Sequence, residues 1–285
     1  MASSIYTIQT MTRLQLDMVI DWAASEGWNP GLHDASSFYT TDPTGFFIGL
    51  LDGQPIASIS AVRYGTTYGF IGFYIVHPDY RGQGYGLKIW QTGLDYLKGR
   101  TIGLDGVVAQ QANYIKSGFQ LAHRNIRYEG IGGNFDCPNP QSNIVPLASL
   151  DADKIITYDR AFFPADRTQF LNSWLQYPDS VGVAVIDGNL ITGYGLLRPC
   201  RTGYKIGPLF ADTPQIAQDI FHSLIANIET GTPFYLDVPD INPHAVALAE
   251  RHTMTGMFET ARMYINSQPK LSLDHTYGIT TFELG

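Results

Sequence analysis

The sequence predicts an α/β protein built from two copies of one module. Strand-like and helix-like segments alternate along the chain, and a pattern of turns and strands recurs in the second half at a constant spacing. The chain has 285 residues, which is room for two domains of roughly 100–200 residues each. Hydrophobic residues make up 44% of it, enough to build a buried core in each half.

Local patterns in the first half define its elements. Thr12 and Gln15 have the spacing of a capping box, and Asp52-Gly53 predicts a hairpin turn. The near-continuous apolar run in Tyr68–His77 suits a buried central strand. The predicted elements are a strand at Ile5–Gln9, a helix with Leu16, Val19, Ile20 and Ala23 on one face, strands at Phe46–Leu51, Ile56–Arg63 and Tyr68–His77, a helix marked by Leu87, Trp90, Leu94 and Leu97, a strand at Ile102–Val107, a short helix at Gln110–Ser117 and a strand at Phe119–Ile131.

A shift of 135 residues brings the second half onto the first. The coinciding positions are Asp52-Gly53 with Asp187-Gly188, Ile56 with Ile191, Arg63 with Arg198, Ile71 with Ile206 and Gly72 with Gly207. The same strand–turn–strand–strand order accompanies them, so we interpret the halves as copies of one module and the chain as a fused dimer. The alternative is two unrelated meanders that share Asp-Gly turns.

The segment Gly132–Pro146 separates the two halves. It is rich in Gly, Asn and Pro and has little periodic pattern, so we interpret it as a linker. The predicted domains are therefore residues 1–131 and 147–285, joined by residues 132–146.

Composition narrows the choice of partners. The formal net charge of −8 disfavours nucleic acid, which needs a basic face, and is compatible with a cationic substrate. No apolar run approaches the roughly 20 residues that span a bilayer, and Met1–Ser4 does not read as a signal peptide. Cys137 and Cys200 form neither a disulfide framework nor a zinc motif. We therefore expect a soluble, cytoplasmic protein with no metal and no membrane partner.

The segment Pro78–Gly86 has the pattern of an anion-binding loop. It lies between the predicted central strand and an amphipathic helix, and it carries Gly82, Gly84 and Gly86 at alternate positions. Glycines there leave the backbone bare at a helix N-terminus, where unpaired N–H groups and the helix dipole favour a phosphate. Arg81 adds a positive charge. The equivalent loop of the second half contains no glycine.

Other interpretations of this loop fit less well. A dinucleotide fold requires Gly-x-Gly-x-x-Gly, but Leu87 stands where the third glycine belongs. A P-loop requires Gly-Lys-Ser/Thr, which Gly86-Leu87-Lys88 does not supply. A tight glycine-rich turn without a ligand is the structural alternative.

The loop and its surroundings resemble the GCN5-related N-acetyltransferase (GNAT) family. Arg81–Gly86 fits the family's Arg/Gln-x-x-Gly-x-Gly/Ala pyrophosphate loop, and Tyr114–Phe119 resembles its Tyr-x-Lys-x-Gly-Phe element. The whole chain is similar to a bacterial subgroup in which a GNAT domain precedes a degenerate second copy. The resemblance implies a mixed α/β (α+β) sheet in each half and two tandem domains forming a pseudo-dimer. Further segments that carry the likeness are Gly27–Gly31, Leu104–Val107, Gly203–Leu209 and Arg262–Tyr264.

The resemblance also implies acetyl-coenzyme A as the co-substrate of the N-terminal domain. Strand backbone would pair with the pantetheine arm, loop amides would hold the pyrophosphate, and an asparagine would bond the arm. The residues expected in these roles are Ile75, Val76, His77, Arg81, Gly82, Gln83, Gly84, Tyr85, Gly86 and Asn113. The family often has an asparagine seven residues before the tyrosine, where this chain has Val107, so Asn113 or Gln110 would substitute for it.

Acetyl transfer to an amine needs proton transfers and needs no enzyme nucleophile when both substrates bind together. The resemblance at Tyr114–Phe119 implies that Tyr114 is the proton donor to the departing thiolate, and a phenol is protonated at neutral pH as this role requires. Its structural alternative is a core tyrosine. Asp105 follows a strand beside the expected acyl cleft and is the candidate base, although it could instead orient the neighbouring loop. Water alone would also serve as the acceptor of the amine proton.

The acceptor is expected to meet residues from both halves. Trp28, Asn29, His33 and Asp34 lie on a loop after the first helix that commonly faces the acceptor in this fold. Tyr264 lies on the last regular strand, which could line the pocket if the halves pack as a fused dimer; an ordinary sheet residue is the alternative.

We expect an N-acetyltransferase acting directly on a small-molecule amine through a ternary complex. Within the enzyme class, a protein amine or a longer acyl group is the alternative. Outside it, the chain would be an acetyl-coenzyme A sensor or scaffold without turnover, or a pseudo-dimer without a ligand. An internal pseudo-dimer favours a monomer or a weak homodimer.

Overall fold

The computed structural model describes residues 4–133 and 143–285. Most of the predicted linker at 132–146, including Cys137, lies outside the described residues, as do residues 1–3. Within the described part, the two halves contain the same succession of strands and helices, which confirms the predicted tandem α/β architecture. The elements of the first half are β1 (Tyr6–Thr10), α1 (Arg13–Ser25), α2 (Asp34–Thr41), β2 (Phe46–Leu51), β3 (Gln54–Tyr64), β4 (Tyr68–Val76), α3 (Tyr85–Tyr96), β5 (Thr101–Val107), α4 (Gln111–Lys116) and β6 (Gln120–Ile131).

Each of these has a counterpart in the second half, which ends with one additional strand. The elements are β7 (Ile144–Pro146), α5 (Ala152–Asp159), α6 (Thr168–Trp174), β8 (Val181–Asp187), β9 (Leu190–Pro199), β10 (Tyr204–Ala211), α7 (Pro214–Ile225), β11 (Pro233–Pro239), α8 (Pro243–Arg251), β12 (Thr255–Ile265) and β13 (Thr276–Gly278). The sequence analysis did not predict α2 or β13.

Local sequence explains the first helix. Thr12 Oγ1 accepts from Gln15 N, and the Gln15 side chain accepts from Thr12 N, so the predicted capping box is present. The predicted apolar face is also confirmed, because the side chains that the helix buries are Leu16, Val19, Ile20 and Ala23.

One continuous mixed sheet runs through both halves, and its two central strands are exchanged. The order in the described residues is β1-β2-β3-β4-β5-β12-β6-β11-β10-β9-β8-β7. β12 of the second half therefore pairs with β5 of the first, and β6 of the first half pairs with β11 of the second. The last strand of each half completes the sheet of the other half.

Two equivalent ion pairs join the exchanged strands to their hosts. Arg262 on β12 binds Asp105 on β5 with N–O distances of 2.9 and 2.6 Å. Arg127 on β6 binds Asp237 on β11 at 2.7 and 2.8 Å. All four side chains are buried, and each pair consists of directly opposed residues in the strand register.

The sheet separates one hydrophobic core that both halves build from two smaller cores on its opposite face. On one face, α1 and α2 pack with α5 and α6 of the other half, and the Phe38 ring stacks on Trp174 with centroids 6.0 Å apart. The opposite face carries two separate cores, one under α3 and one under α7 and α8. The shared core fixes the two halves against each other across the exchanged strands.

Candidate active site

A cleft opens in the first half where β4 and β5 separate. Their parallel pairing ends at Ile71 and Leu104. Immediately beyond, β4 bulges at Phe73, whose φ is +44°, and Ser58 Oγ donates to the Phe73 carbonyl at 2.7 Å. A bulge bends its strand away from the neighbour. The resulting cavity has a volume of about 420 Å³.

Residues from both halves form the wall of this cavity. The first half contributes β4, β5, the glycine loop, α3 and α4, and the second half contributes β12 and the C-terminal segment. The lining residues are Glu26, Trp28, Ile71, Gly72, Phe73, Tyr74, Ile75, Val76, Tyr80, Arg81, Gly82, Gly84, Gly86, Leu87, Trp90, Leu104, Asp105, Gly106, Val107, Gln110, Tyr114, Phe258, Thr260, Phe282 and Glu283.

The glycine loop forms one end of the cavity. Gly82 and Gly84 have φ values of +76° and +85°, in the left-handed region that favours glycine. Gly84 is the N-cap of α3, and no side chain caps that terminus. The N–H groups of the first helical turn are therefore open to a ligand, as an anion site requires.

Close packing explains the third glycine. A Cβ at Gly86 would lie 2.7 Å from Tyr74 Oη and 3.0 Å from Val76 Cγ2. Gly86 therefore lets α3 approach β4 at the cavity wall. The side chains of Gln83 and Tyr85 are directed elsewhere: Gln83 Nε2 donates to Asp79 O, and the Tyr85 ring packs against Tyr6.

Arg81 is hydrogen-bonded to the end of β4. Arg81 Nε donates to Val76 O at 2.8 Å, and its guanidinium pairs with Glu26. His77 N donates to Ile56 O on β3 at 2.8 Å. Because adjacent strand residues direct their polar groups to opposite edges, Val76 N–H is turned to the cleft. Of Ile75, Val76 and His77, Val76 is thus the residue whose backbone N–H faces the cleft.

Asn113 does not reach the cavity wall. Its Nδ2 donates to Gln110 Oε1 at 2.7 Å, and Gln110 is the member of the pair that lines the cavity. The two residues act as one polar unit at the start of α4.

Tyr114 lies in the cavity wall on the β5 side. Its ring packs against Trp90 with centroids 5.4 Å apart, and a Cβ at Gly106 would lie 2.2 Å from Tyr114 Cε2. Burial, with a smaller contribution from Tyr74, raises the pKa of the Tyr114 phenol above its ordinary value. The phenol is therefore protonated at neutral pH and available as a donor.

Asp105 is held by other side chains. Both of its carboxylate oxygens bind Arg262, and Oδ1 also accepts from Asn125 Nδ2 at 2.7 Å. Donors from β12 and β6 therefore occupy both carboxylate oxygens. The geometry does not favour the base predicted at Asp105; it favours a residue that fixes β12 against β5.

Of the five predicted acceptor residues, Trp28 lines the cavity. Asn29 exchanges two 2.9 Å hydrogen bonds with the backbone of Thr202 in the other half. His33 lies in a separate depression beside α6, with Nε2 3.6 Å from Asp179. Trp28 thus lies at the cavity, whereas Asn29 and His33 lie at the junction of the halves.

Asp34 and Tyr264 are buried structural residues. Asp34 accepts hydrogen bonds from Arg198, Tyr177 and the Gly31 N–H in the fully buried junction between the halves. Tyr264 packs over Gly103, and Arg262 Nη1 lies 3.4 Å from its hydroxyl. Neither side chain lines the cavity.

Four wall residues from the second half were missed. Phe258 and Thr260 lie on β12 at two-residue spacing from Arg262, so extending the strand alternation backwards would have found them. Phe282 and Glu283 come from the C-terminal segment, whose sequence has no periodic signal. Glu283 is only 4% exposed, and burial raises its pKa above the ordinary value for a glutamate.

The equivalent cleft of the second half is filled by the chain itself. β10 also bulges, between Ile206 and Leu209, and its parallel pairing with β11 ends at Ile206. β13 then pairs with β10 through Leu209 and Gly278, and Ile279 N donates to Asp237 O on β11 at 2.9 Å. A strand of the protein thus occupies the position that is open as a cleft in the first half.

The described residues 4–133 and 143–285 contain no group of three or more His, Cys, Asp or Glu side chains arranged to hold a metal ion. No helix among them is long and apolar enough to cross a membrane.

Both halves match known acetyltransferase families. Residues 10–119 match the acetyltransferase (GNAT) family, and residues 155–278 match a second acetyltransferase (GNAT) domain family. The chain therefore belongs to the GNAT superfamily and carries two of its domains in tandem.

Particular relatives agree with this assignment. Holothin acyltransferase from Pseudoalteromonas sp. (strain SANK 73390) is 30% identical over 269 residues, covering 94% of this chain and 90% of the relative. A putative acetyltransferase from Pyrococcus horikoshii has the same fold, with a TM-score of 0.82, 22% identity and coverage of 98% and 96%. A tandem GNAT protein from the clavulanic acid biosynthesis pathway aligns with a TM-score of 0.64 at 10% identity, covering 93% of this chain and 99% of that one. The protein is an acyltransferase.

Proposed function

We propose that the protein transfers an acetyl group from acetyl-coenzyme A directly to the amine of a small molecule, with both substrates bound together. The observation that carries the proposal is the open cleft between β4 and β5. The glycine loop at the start of α3 and aromatic side chains from both halves line it.

The residues present fit acetyl-coenzyme A. The open amides of Gly82–Gly86 at the start of α3 suit a pyrophosphate, and the Val76 N–H at the strand edge suits the amide groups of pantetheine. Acetyl-coenzyme A supplies an acyl thioester activated for attack by an amine. The second half offers no equivalent place, since β13 fills its cleft.

Tyr114 is proposed as the proton donor. Its phenol is buried in the cavity wall beside Gly106 of β5. The raised pKa keeps the phenol protonated across the physiological range. It would give its proton to the coenzyme thiolate as the carbon–sulfur bond breaks.

The acceptor end of the cavity favours a compact amine. Trp28, Phe258 and Phe282 give the cavity wall aromatic surface, and Phe258 and Phe282 come from the second half. A folded protein would have to insert a narrow tail past these rings. The relative named for holothin is consistent with a small-molecule acceptor.

The test is release of free coenzyme A thiol from acetyl-coenzyme A in the presence of a panel of small amines, lysine peptides and peptides with free N-termini. Mass spectrometry of each active mixture identifies the product. We expect a small amine to give thiol release and an N-acetyl product 42 Da heavier. Binding of acetyl-coenzyme A without release by any amine would identify a sensor, and release only with peptides would identify a protein acetyltransferase.

A further inference from the structure

The cavity passes between β4 and β5 and has different walls on the two faces of the sheet. On one face it meets the glycine loop, α3 and Tyr114, which belongs to the core under α3. On the opposite face it meets Trp28, which packs against the core that both halves build. Phe258 is on that face too, because it alternates in step with Arg262, whose guanidinium covers Phe70 of the same core. A coenzyme on the glycine loop therefore leaves the aromatic side of the cavity for the acceptor.

Buried Arg127 organises this aromatic wall. Its guanidinium carbon lies 4.8 Å from the centroid of the Phe282 ring and 6.0 Å from that of the Phe258 ring. Arg127 Nη1 also donates to the Trp28 carbonyl at 2.7 Å. The two phenylalanine rings have centroids 6.1 Å apart and are inclined at 58°. Because Asp237 neutralises Arg127, the wall is an uncharged aromatic surface, which suits the face or edge of a flat ring.

Three acidic residues line the cavity within residues 4–133 and 143–285, and each is engaged or buried. Glu26 pairs with Arg81, and both carboxylate oxygens of Asp105 bind Arg262. Glu283 Oε2 is buried, and the group that this residue places against the cleft is its backbone carbonyl. The described wall therefore gives little support to a ligand with a second positive charge, or to removal of a proton from an ammonium group.

The attacking nitrogen must nevertheless be uncharged. An alkylamine with a pKa of about 10.4 is neutral in only about one molecule in 2,500 at pH 7, so it relies on a base. An amine whose lone pair is conjugated with a flat ring is neutral at pH 7 and attacks without one. The engaged carboxylates and the aromatic wall thus favour the same kind of acceptor.

We propose that the acceptor is an aryl- or heteroarylamine without a second positive charge, bound with its ring against Phe258 and Phe282. This rests on the proposed acetyl transfer and specifies its substrate class. The nitrogen attacks the acetyl carbon, so the C–N bond forms as the C–S bond breaks. The departing sulfur takes the phenol proton of Tyr114, and the nitrogen releases one proton to water. Tyr114 regains a proton from solvent, and the products are the N-acetyl arylamine and free coenzyme A.

The first test compares three amines with the wild type from pH 6.5 to 9: 4-methoxyaniline, 4-methoxybenzylamine and spermidine. The first two share a ring and differ in whether the nitrogen is conjugated with it, and the third has several positive charges and no ring. We expect kcat/KM at pH 7 to be at least about tenfold higher for 4-methoxyaniline than for the other two, and to change within about twofold over the pH range. For 4-methoxybenzylamine it should rise about tenfold per pH unit as the neutral fraction grows.

The second test compares Phe258→Ala with Met257→Ala. Met257 is the preceding residue of β12, but its side chain is exposed and does not line the cavity, so it is a matched control. We expect Phe258→Ala to raise the KM for 4-methoxyaniline about tenfold, with acetyl-coenzyme A affinity by calorimetry unchanged within about twofold. Phe258→Tyr keeps the ring and should restore the KM, and Met257→Ala should match the wild type.

Three results would each overturn the proposal: an alkylamine or spermidine that equals the arylamine at pH 7, an acidic limb in the arylamine profile, or an unchanged KM in folded Phe258→Ala. The comparison of amines with the wild type carries the test if Phe258→Ala does not fold. Acetylation of alkylamines alone would leave the proposed function in place and contradict this inference. A wild type that binds acetyl-coenzyme A but acetylates no amine would instead contradict the proposed function.

Discussion

Gly72 and Gly207 are equivalent glycines of the two halves, and the same C-terminal segment crosses both of them. A Cβ at Gly207 would lie 2.5 Å from the Thr280 carbonyl oxygen, and a Cβ at Gly72 would lie 2.1 Å from that of Glu283. The segment that leaves β13 therefore passes from the filled cleft of the second half to the open cleft of the first. This path explains why the 135-residue repeat retains a glycine at these positions.

A methyl group at either position should displace the C-terminal segment. We expect Gly72→Ala and Gly207→Ala each to lower the free energy of unfolding by about 1–3 kcal/mol, because backbone atoms must move. Gly72→Ala should also lower kcat, since it displaces Phe282 and Glu283 in the cavity wall. Denaturant unfolding and amine acetylation measure the two effects. Gly133→Ala, where a Cβ meets nothing within 4 Å, is the control; equal effects in all three variants would contradict this account.

The buried pair Asp105–Arg262 should determine stability rather than proton transfer. Asp105→Asn leaves the Arg262 charge without its partner and should cost about 3–5 kcal/mol. The double variant Asp105→Leu/Arg262→Met removes both charges and should recover most of that loss. Denaturant unfolding measures this, and the kcat of folded Asp105→Asn should stay close to that of the wild type. A variant of wild-type stability whose kcat is about 10²-fold lower would restore Asp105 as the base.

His123 should make the protein sensitive to acid. Burial, aided by Arg262, lowers the pKa of His123 from 6.5 to about 3. The unfolded state therefore binds a proton that the folded state rejects, so this contribution to stability is present above pH 6.5 and is lost as the pH falls towards 3. The full shift corresponds to a loss of the order of 5 kcal/mol.

The measurement is chemical unfolding of the wild type and of His123→Gln between pH 7 and pH 3.5. The wild type should lose more stability than the variant over this range. Equal slopes for the two proteins would show that His123 does not titrate with a lowered pKa.

Tyr114→Phe tests the proton donor. Removing the hydroxyl leaves the ring packed on Gly106 and Trp90, so stability and acetyl-coenzyme A affinity should be close to the wild type. The kcat for acetyl transfer should fall about 10²-fold, because the departing coenzyme A thiolate loses its proton donor. Thiol release with the panel amines is the readout, and full turnover with every amine would remove Tyr114 from the mechanism.

Local patterns predicted most of the first half because each element there is specified by nearby residues. The capping box at Thr12 starts α1, and the turn at Asp52-Gly53 joins two strands in the hairpin register. The 135-residue repeat then extended these elements to the second half. The exchange of β6 and β12 could not be predicted in this way, because either strand has an equally suitable apolar pattern for its own half.

The sequence predicted only the part of the candidate site that one continuous segment forms. The glycine loop is a continuous stretch, and its glycines and Arg81 line the cavity. The acceptor wall is assembled from β12 and the C-terminal segment, which meet the first half through the strand exchange and through the glycine at position 72. Asp105 illustrates the same limit, since its partner Arg262 lies 157 residues away in sequence.

The most direct test of the account is calorimetric titration of acetyl-coenzyme A into the wild type, Gly84→Asp and Gly99→Asp. Gly84 and Gly99 have φ values of +85° and +84° and open space around the Cβ position, so the two variants carry the same backbone strain. They differ in place, because Gly84 begins α3 at the cleft and Gly99 lies in the loop that follows this helix. We predict one binding site per chain, unchanged affinity in Gly99→Asp and at least a 100-fold loss in Gly84→Asp. Two sites per chain, equal losses in both variants, or no binding to the folded wild type would contradict it.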